Sequence, residues 1–347
     1  MNILIVKLSA IGDVVHTLPS LTALRNLYPH AHISWVVEAP ASDLLTGHPH
    51  LDRIIISHRK EWIQSLQRFH AIKKTLRDMR SFIATLRDRR YDLVIDFHGL
   101  FKSAVIVRLS RATRKLGYHS LQEMSGLFYT EKIYEDMGKH AVDRYLDFVR
   151  YLGGSGNDPT CIIAVEKENQ RRVADLLRVN HIDSTTPFVA INPVAFWKTK
   201  LWQDEKFARL ADRIVNELAV SVVFTGGGGD TSIEQIRSLM SHPSISVEGR
   251  TSLRDLAYLY QLSMLMVTTD SGPMHVAAAM GTPTVALFGP TDPARTGPYG
   301  RGHVIVRSEI VCAPCFRKVC DTKQCMRDIS VEEVFAAVKE MITWRSQ

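Results

Sequence analysis

Nowhere in its 347 residues does this chain hold about 18 consecutive apolar residues, so no membrane-spanning helix is expected. The N-terminus, MNILIVKLSAIGDVVH, lacks the marks of a secretion signal. Its apolar stretch is short, Lys7 interrupts it, and GDVVH offers no small-residue cleavage site. A cytoplasmic location is therefore expected. The first strand-to-helix turn lacks G-x-G-x-x-G, and no G-K-[ST] follows the later glycine run, which sets aside a dinucleotide fingerprint and a P-loop. No RNA-binding signature or DNA recognition-helix pattern occurs, so nucleic acid is not expected as a partner. Short-period repeats and low-complexity segments are missing too. Cysteine is sparse at five, and Cys161 stands alone.

Basic residues, in contrast, are in surplus. Lys and Arg total 43 against 36 Asp and Glu, a net charge of +7, and much of the excess lies between Arg53 and Lys115. Such a bias suits an anionic partner, either an acidic membrane surface or a phosphorylated substrate, and solvated helix faces are the plain alternative.

At this length two domains are the first expectation. Apolar strands alternate with amphipathic helices in both halves, which predicts parallel sheets covered by helices. In the first half, strands are expected at 2–8, 32–38, 53–57 and 92–99, with a helix ending near Pro29 and a long basic helical stretch over about 60–89. In the second half, strands at 188–193, 220–227, 244–249, 264–269, 284–289 and 303–308 alternate with helices near 204–218, 231–240 and 253–262. The clearest linker composition is LGGSGNDPT, 152–160. The expected organisation is a domain over 1–155, a second over 156–330, and a terminal amphipathic helix over 331–347.

Ligands of doubly wound sheets bind outside the C-terminal ends of the strands, and three such ends are rich in small or polar residues. The first is SAIGDVVH, 9–16, where Gly12 suits a tight turn and Asp13 falls at the helix start. Asp13 reads equally as a helix cap and as a general base facing an interdomain cleft. The second is TGGGGD, 225–230, whose glycines permit close backbone approach to a ligand. The third is TTDSGPMHVAAAMG, 268–281. Pro273 suits the first helical turn and Gly281 the C-terminal cap. Free amides around Ser271, Gly272 and Met274 would then face an anion, with His275 one turn inside. Asp270 would repel phosphate, so its expected role is to orient loop amides or a cationic neighbour. Lys198 and Lys200, after another strand, are the nearest candidate cations, one of them expected to be merely exposed.

Together these residues resemble the heptosyltransferases of lipopolysaccharide core assembly, glycosyltransferase family nine, a GT-B fold. The resemblance runs along most of the chain: LIVKLSAIGDVVHTLPSLTALR, WVVEA, DLVIDFHGLFKSA, HAVDRY, the K-x-W at 200–202, GRTSLRDLA and DSGPMHVAAAMGTPTVALFGPTDP. It implies two Rossmann-like lobes with parallel sheets facing across a central cleft. The N-terminal lobe would bind an acidic acceptor and the C-terminal lobe ADP-L-glycero-β-D-manno-heptose. The N-terminal blocks look most similar to members that add the first heptose to a Kdo residue of Kdo-lipid A, at the cytoplasmic face of the inner membrane. Addition of a later heptose is the alternative. Under the resemblance Asp13 matches the general base and Lys200 the lysine that neutralises the leaving diphosphate. Ser271, Gly272 and His275 match the phosphate loop with Asp270 beside them, and Gly12 and Asp230 are further donor contacts. No metal is needed if a lysine and a helix dipole stabilise the leaving group. The family's acceptor lobe often carries an Arg-Glu pair where GYHSLQEMSGLFY has Glu123 without that Arg, so Arg59, Lys60, His98 and Lys102 stand as substitute acceptor contacts.

Four cysteines, Cys312, Cys315, Cys320 and Cys325, crowd into CAPCFRKVCDTKQC. Their spacing resembles a zinc knuckle with Cys replacing His, and a structural zinc stands beside the reading of a reduced, unliganded cluster. Three other functions share parts of the pattern: a nicotinamide dehydrogenase, which lacks its glycine fingerprint here; a nucleotide-sugar epimerase of GT-B fold; and a non-catalytic sugar-binding protein, which would not need Asp13.

Overall fold

The computed structural model describes residues 1–69, 71–119, 122–183, 186–229 and 231–345. The chain divides into two compact units, Met1–Ala164 and Val165–Gln347. The division falls after the glycine-rich 152–160 segment rather than within it, because that segment still packs on the first unit. Gly154 N–H donates to Val149 O, and the Cys161 thiol lies 3.8 Å from Val15 O.

The first unit runs β1 (Asn2–Val6), α1 (Ile11–Leu27), β2 (His32–Glu38), the short α2 (Ala39–Ser42), β3 (Arg53–Ser57), α3 (Arg59–Gln67), α4 (Ile72–Arg87), β4 (Leu93–Asp96), α5 (Phe101–Leu109), β5 (Arg114–Tyr118), β6 (Glu131–Ile133) and α6 (Ala141–Tyr151). Its strands form one parallel sheet in the order β3-β2-β1-β4-β5-β6. Ile5 sits opposite Trp35 on one side and Ile95 on the other, and all three are fully buried. A strand covered on both faces reads as a continuous apolar run, which is why NILIV was legible.

The second unit repeats the plan: α7 (Lys167–Val179), β7 (Phe188–Asn192), α8 (Asp204–Leu218), β8 (Ser221–Phe224), α9 (Ser232–Ser238), β9 (Ile245–Ser246), α10 (Leu253–Leu262), β10 (Leu265–Thr269), α11 (Gly272–Ala279), β11 (Thr284–Leu287), α12 (Pro293–Thr296), β12 (His303–Val306), α13 (Gln324–Arg327) and α14 (Val331–Arg345). The sheet order is β12-β11-β10-β7-β8-β9, all parallel. Numbered from its own first strand, each sheet has the order 3-2-1-4-5-6 of a doubly wound Rossmann-type unit. The terminal helix α14 does not stand apart. Val334, Phe335 and Val338 belong to the core that β7, β8 and α8 build, and Arg213 stacks on the Phe335 ring at 3.9 Å.

Three local expectations change. The basic stretch 60–89 is two helices rather than one, with Phe69 and Ala71 in the left-handed region between them. Gly12 is no turn residue: it lies buried in the first turn of α1 without a positive φ. Strands β5 and β6 carry Arg114, Lys115, Glu131 and Lys132, and no apolar run marks them.

Candidate active site

The sheet order reverses between β1 and β4 in the first unit and between β7 and β10 in the second, and ligands of such sheets collect at that crevice. In both units the chemistry-bearing side chains follow those four strands.

In the first unit Lys7 follows β1 and Asp13 stands in the first turn of α1. Ala10 N–H donates to Asp13 Oδ2 at 3.1 Å, so the carboxylate does cap the helix. Its other oxygen faces a buried polar group. Tyr145 OH, from α6, lies 3.4 Å from Oδ1, and Lys7 Nζ lies 3.9 Å away. Lys7 is held by a 2.6 Å hydrogen bond to Tyr145 OH and a 3.0 Å bond to Phe97 O. Burial lowers the pKa of Lys7, against the opposing pull of Asp13 and Asp96, and burial pushes the Tyr145 phenol well up. The Asp13 side chain keeps 42 % of its surface open, so one carboxylate is both anchored from behind and reachable from outside.

Beside it, the end of β4 is organised by Asp96. Its Oδ1 accepts from His98 N–H (2.8 Å) and Gly99 N–H (3.1 Å), and its Oδ2 accepts from Tyr129 OH (2.7 Å). Burial raises the Asp96 carboxyl in spite of these bonds. His98 is held down to about 2 by burial and by the charges of Lys7, Lys102 and Arg59, so its imidazole is neutral in a cationic surrounding. Three of the four expected acceptor contacts, His98, Lys102 and Arg59, thus share one electrostatic neighbourhood with Lys7. Arg59 is also tied to Glu38, donating to Oε1 at 3.0 and 3.2 Å, and Lys60 Nζ reaches Oε2 at 3.2 Å. Glu38 is buried at the end of β2, so this pair of cations neutralises a carboxylate of the protein itself.

In the second unit Lys200 follows β7 in a turn that spans Lys198–Lys200, and Asp270 follows β10. Lys200 Nζ meets Asp270 Oδ2 at 2.6 Å, and Thr291 OH donates to the same oxygen at 2.6 Å. Lys200 also lies over the Trp197 ring at 4.6 Å. Lys198 is exposed. Ser271 is the N-cap of α11, Gly272 opens it, His275 is buried one turn inside, and Gly281 closes it at φ +73. The expected set of free amides shrinks by one. Met274 N–H donates to Ser271 O at 3.2 Å, because the first turn is tightened into a three-residue bond. Gly272 N–H is left without an intrahelical acceptor by its position alone.

The glycine run is partly a packing device. Gly228 lies against Gly249, where an added Cβ would come within 2.9 Å of the Gly228 Cα, and Gly249 N–H donates to Gly226 O. Asp230 lies outside the described residues.

The four clustered cysteines are not gathered into a metal-binding set. All are free thiols, and among the described residues no three His, Cys, Asp or Glu side chains are placed to hold a metal ion. Cys325 is buried where an added Gly289 Cβ would meet its sulfur at 3.0 Å, Cys320 accepts from Lys323 N–H, and Cys312 is exposed. The Cys325 thiol is raised by burial and by the neighbouring Cys315, Cys312 and Cys320.

Sequence reasoning passed over Lys7, Tyr145, Glu38 and Thr291. Lys7 left a signal, as the lone charge closing an apolar strand. Tyr145 closes the HAVDRY block, but nothing local assigns it a role, since its contact with Asp13 spans 132 residues of chain.

Two doubly wound units, each with charged groups at its switch point, are the architecture of the GT-B fold. The sequence profile of glycosyltransferase family 9 (heptosyltransferase) matches residues 79–326, and the chain belongs to that family. It is therefore a glycosyltransferase. Lipopolysaccharide heptosyltransferase 1 of Pseudomonas aeruginosa is 32% identical over 326 residues, 92% of this chain and 87% of that protein. Lipopolysaccharide heptosyltransferase 1 of Escherichia coli K12 is 27% identical over 89% of this chain and 94% of its own length. Among solved structures, a family 9 glycosyltransferase from Veillonella parvula superposes with a TM-score of 0.81 at 24% identity, covering 99% of this chain and 97% of that one. The E. coli heptosyltransferase WaaC with ADP gives 0.76 at 23% identity, covering 98% and 100%. These likenesses carry the fold.

Proposed function

We propose that this enzyme transfers L-glycero-D-manno-heptose from ADP-heptose to a Kdo residue of Kdo-lipid A, with inversion, at the cytoplasmic face of the inner membrane. The observation that carries the reading is the Lys200–Asp270 pair at the mouth of α11: a cation held by one buried carboxylate beside the positive end of a helix. That arrangement suits a diphosphate leaving group. The E. coli heptosyltransferase WaaC solved with ADP-2-deoxy-2-fluoro heptose supports the donor, and the likeness to relatives named lipopolysaccharide heptosyltransferase 1 favours the first-heptose acceptor that the family resemblance implies. A later heptose is the second reading, since a heptosyltransferase 3 from E. coli is 26% identical.

The chemistry follows from the groups. Asp13 takes the proton from the acceptor hydroxyl as the oxygen attacks the anomeric carbon from the face opposite ADP. The bond from that carbon to the β-phosphate oxygen breaks, and the charge that develops there falls to Lys200, Gly272 N–H and His275. Asp270 does not touch phosphate in this scheme. It fixes Lys200 in place, and Thr291 fixes Asp270. Lys7 and Tyr145 hold Asp13 in orientation from the buried side. Lys102, with the one charge by which Arg59 and Lys60 exceed Glu38, contributes positive potential toward an acidic acceptor, and His98 offers it a neutral imidazole.

The test is transfer from ADP-heptose to acceptors of stepwise core length, with donor alone as control. Product on Kdo-lipid A alone supports the first-heptose reading. Product only on an acceptor that already bears heptose moves the enzyme to a later step, and turnover of donor without acceptor indicates an epimerase. Activity should persist in EDTA without added divalent ions, because Lys200 and the helix carry the leaving-group charge. Loss on chelation with recovery on magnesium would contradict that assignment.

A further inference from the structure

The hairpin of α3 and α4 is far more basic than its place in the fold requires. From Arg59 to Arg87 it carries eight basic side chains against two acidic ones, most of the net charge of the whole chain. It is also unusually apolar on the outside. Phe69, in the turn between the helices, is 84% exposed, and Ile63, Ile72 and Leu76 are each exposed by more than a third. Ile72 and Leu76 lie one helical turn apart on one face of α4, while Lys73, Arg77 and Arg80 form an adjoining stripe. The base of the hairpin is rigid where the tip is bare. Arg59 and Lys60 clamp Glu38, Trp62 meets Phe82 edge-on at 5.4 Å, and Thr75 OH donates to Ser65 at 2.9 Å. Behind it lies a cavity of about 660 Å³ between β3 and the two helices.

Apolar side chains at a tip, flanked by lysine and arginine, are the composition of an element that lies in the headgroup region of an anionic bilayer. Among the described residues no helix is long and apolar enough to cross one. We propose that the α3–α4 hairpin is the membrane-docking element of this enzyme. Phe69, Ile72 and Leu76 enter the headgroup layer, and Lys73, Arg77 and Arg80 pair with anionic lipid phosphates. The proposal deepens the reading of a lipid-borne acceptor and rests on it, but docking needs neither donor nor acceptor. It serves the reaction by confining the enzyme to the surface where a lipid-anchored sugar is presented.

The experiment is co-sedimentation of the full chain with phosphatidylglycerol–phosphatidylethanolamine vesicles and with phosphatidylcholine vesicles, without ADP-heptose or Kdo-lipid A. Binding is expected to the anionic vesicles, to fall as salt rises, and to be weak on phosphatidylcholine. Each basic side chain near an anionic surface is worth roughly fivefold in partitioning, so Lys73→Glu with Arg77→Glu should weaken binding at least tenfold. Phe69→Asp with Leu76→Gln should weaken it several-fold at unchanged charge stripe. All four positions are exposed, and circular dichroism checks that the variants fold. Turnover of a deacylated, soluble Kdo acceptor should be unchanged in both variants, which reads docking and catalysis separately. The proposal is overturned if wild type ignores anionic vesicles, or if the apolar pair binds them like wild type. It is also overturned if the protein instead forms a concentration-dependent dimer that Phe69→Asp abolishes, which would assign the apolar tip to a second copy.

Discussion

At the residue scale, Asp13 shows that two readings of one side chain need not compete. One oxygen accepts the Ala10 amide and the other faces Tyr145 and Lys7, so the cap positions the proposed base. Asp13→Ala is expected to lower kcat by about 10²–10⁴-fold while ADP binding stays near wild type. Near-normal turnover in that variant would reduce Asp13 to a cap. Lys200 and Lys198 are separable on the same footing. Lys200→Ala should weaken ADP binding and slow transfer, whereas Lys198→Ala, at an exposed position, should do neither strongly. Because Lys200→Ala also leaves the buried Asp270 without its cation, it should lower the melting temperature. Adding Asp270→Asn should recover much of that stability without restoring ADP binding, and recovery of both would assign Lys200 to stability alone. The Arg59 and Lys60 pair carries a warning of the same kind. Charge reversal there places new carboxylates beside the buried Glu38, so a rise in the acceptor's KM is informative only if the melting temperature is measured with it.

At the element scale, what the sequence made legible follows from burial. Strands covered on both faces, such as NILIV and LMVTT, announce themselves as apolar runs, and the helix signals around Ser271, Pro273 and Gly281 follow from local backbone geometry. The strands β5 and β6 stayed hidden because they carry charge, β6 at the edge of the sheet and β5 next to it, and the break in the basic stretch because Phe69 and Ala71 turn the chain with neither Gly nor Pro. Asp13, Lys200 and Asp270 were legible as polar residues just after strands. Lys7 with Tyr145, and Glu38 with Arg59, depend on which distant elements pack together, and no local pattern encodes that. The Gly228–Gly249 contact is another case. Gly249→Ala adds a Cβ 2.9 Å from the Gly228 Cα at a φ of +66, so it combines a clash with a left-handed backbone. A loss of about 1–2 kcal/mol is expected from the conformation alone, with further cost from the displaced glycine loop. If that loop meets the donor, ADP affinity falls with stability in Gly249→Ala, measured by calorimetry. A stability loss with unchanged ADP affinity would leave the glycine run a packing element only.

At the scale of the whole molecule, one topology used twice places chemistry at the same two strand ends in each unit, after the first and fourth strands of its sheet. The titrating groups repeat less evenly: burial lowers His303 in the second unit, but lowers His32, His48, His50 and His98 in the first. In the first unit His48 is buried and held down to about 4, with burial as the main cause and His50 adding to it, and His98 lies lower still. The sign follows from proton linkage. Each imidazole binds its proton near pH 6.5 in the unfolded chain but only well below that when folded, so the unfolded state carries more protons throughout the interval. The folded state is therefore at its full relative stability above about pH 6.5 and loses it as pH falls toward 4. His48 stops contributing to the slope below its folded value, whereas His98 continues. Each such group adds a slope on the order of 1 kcal/mol per pH unit. Denaturant unfolding of the full chain at pH 7.5, 6, 5 and 4.5 should show stability falling in that direction, with the first unit losing its structure at lower denaturant as the acid side is approached. His48→Gln, which removes one titrating ring, should flatten the fall between pH 6.5 and about 4 whatever its effect at pH 7.5. An unaltered slope in that variant would mean that His48 is not held neutral in the folded protein, and would transfer the acid sensitivity to His98 and the β4 end of the site.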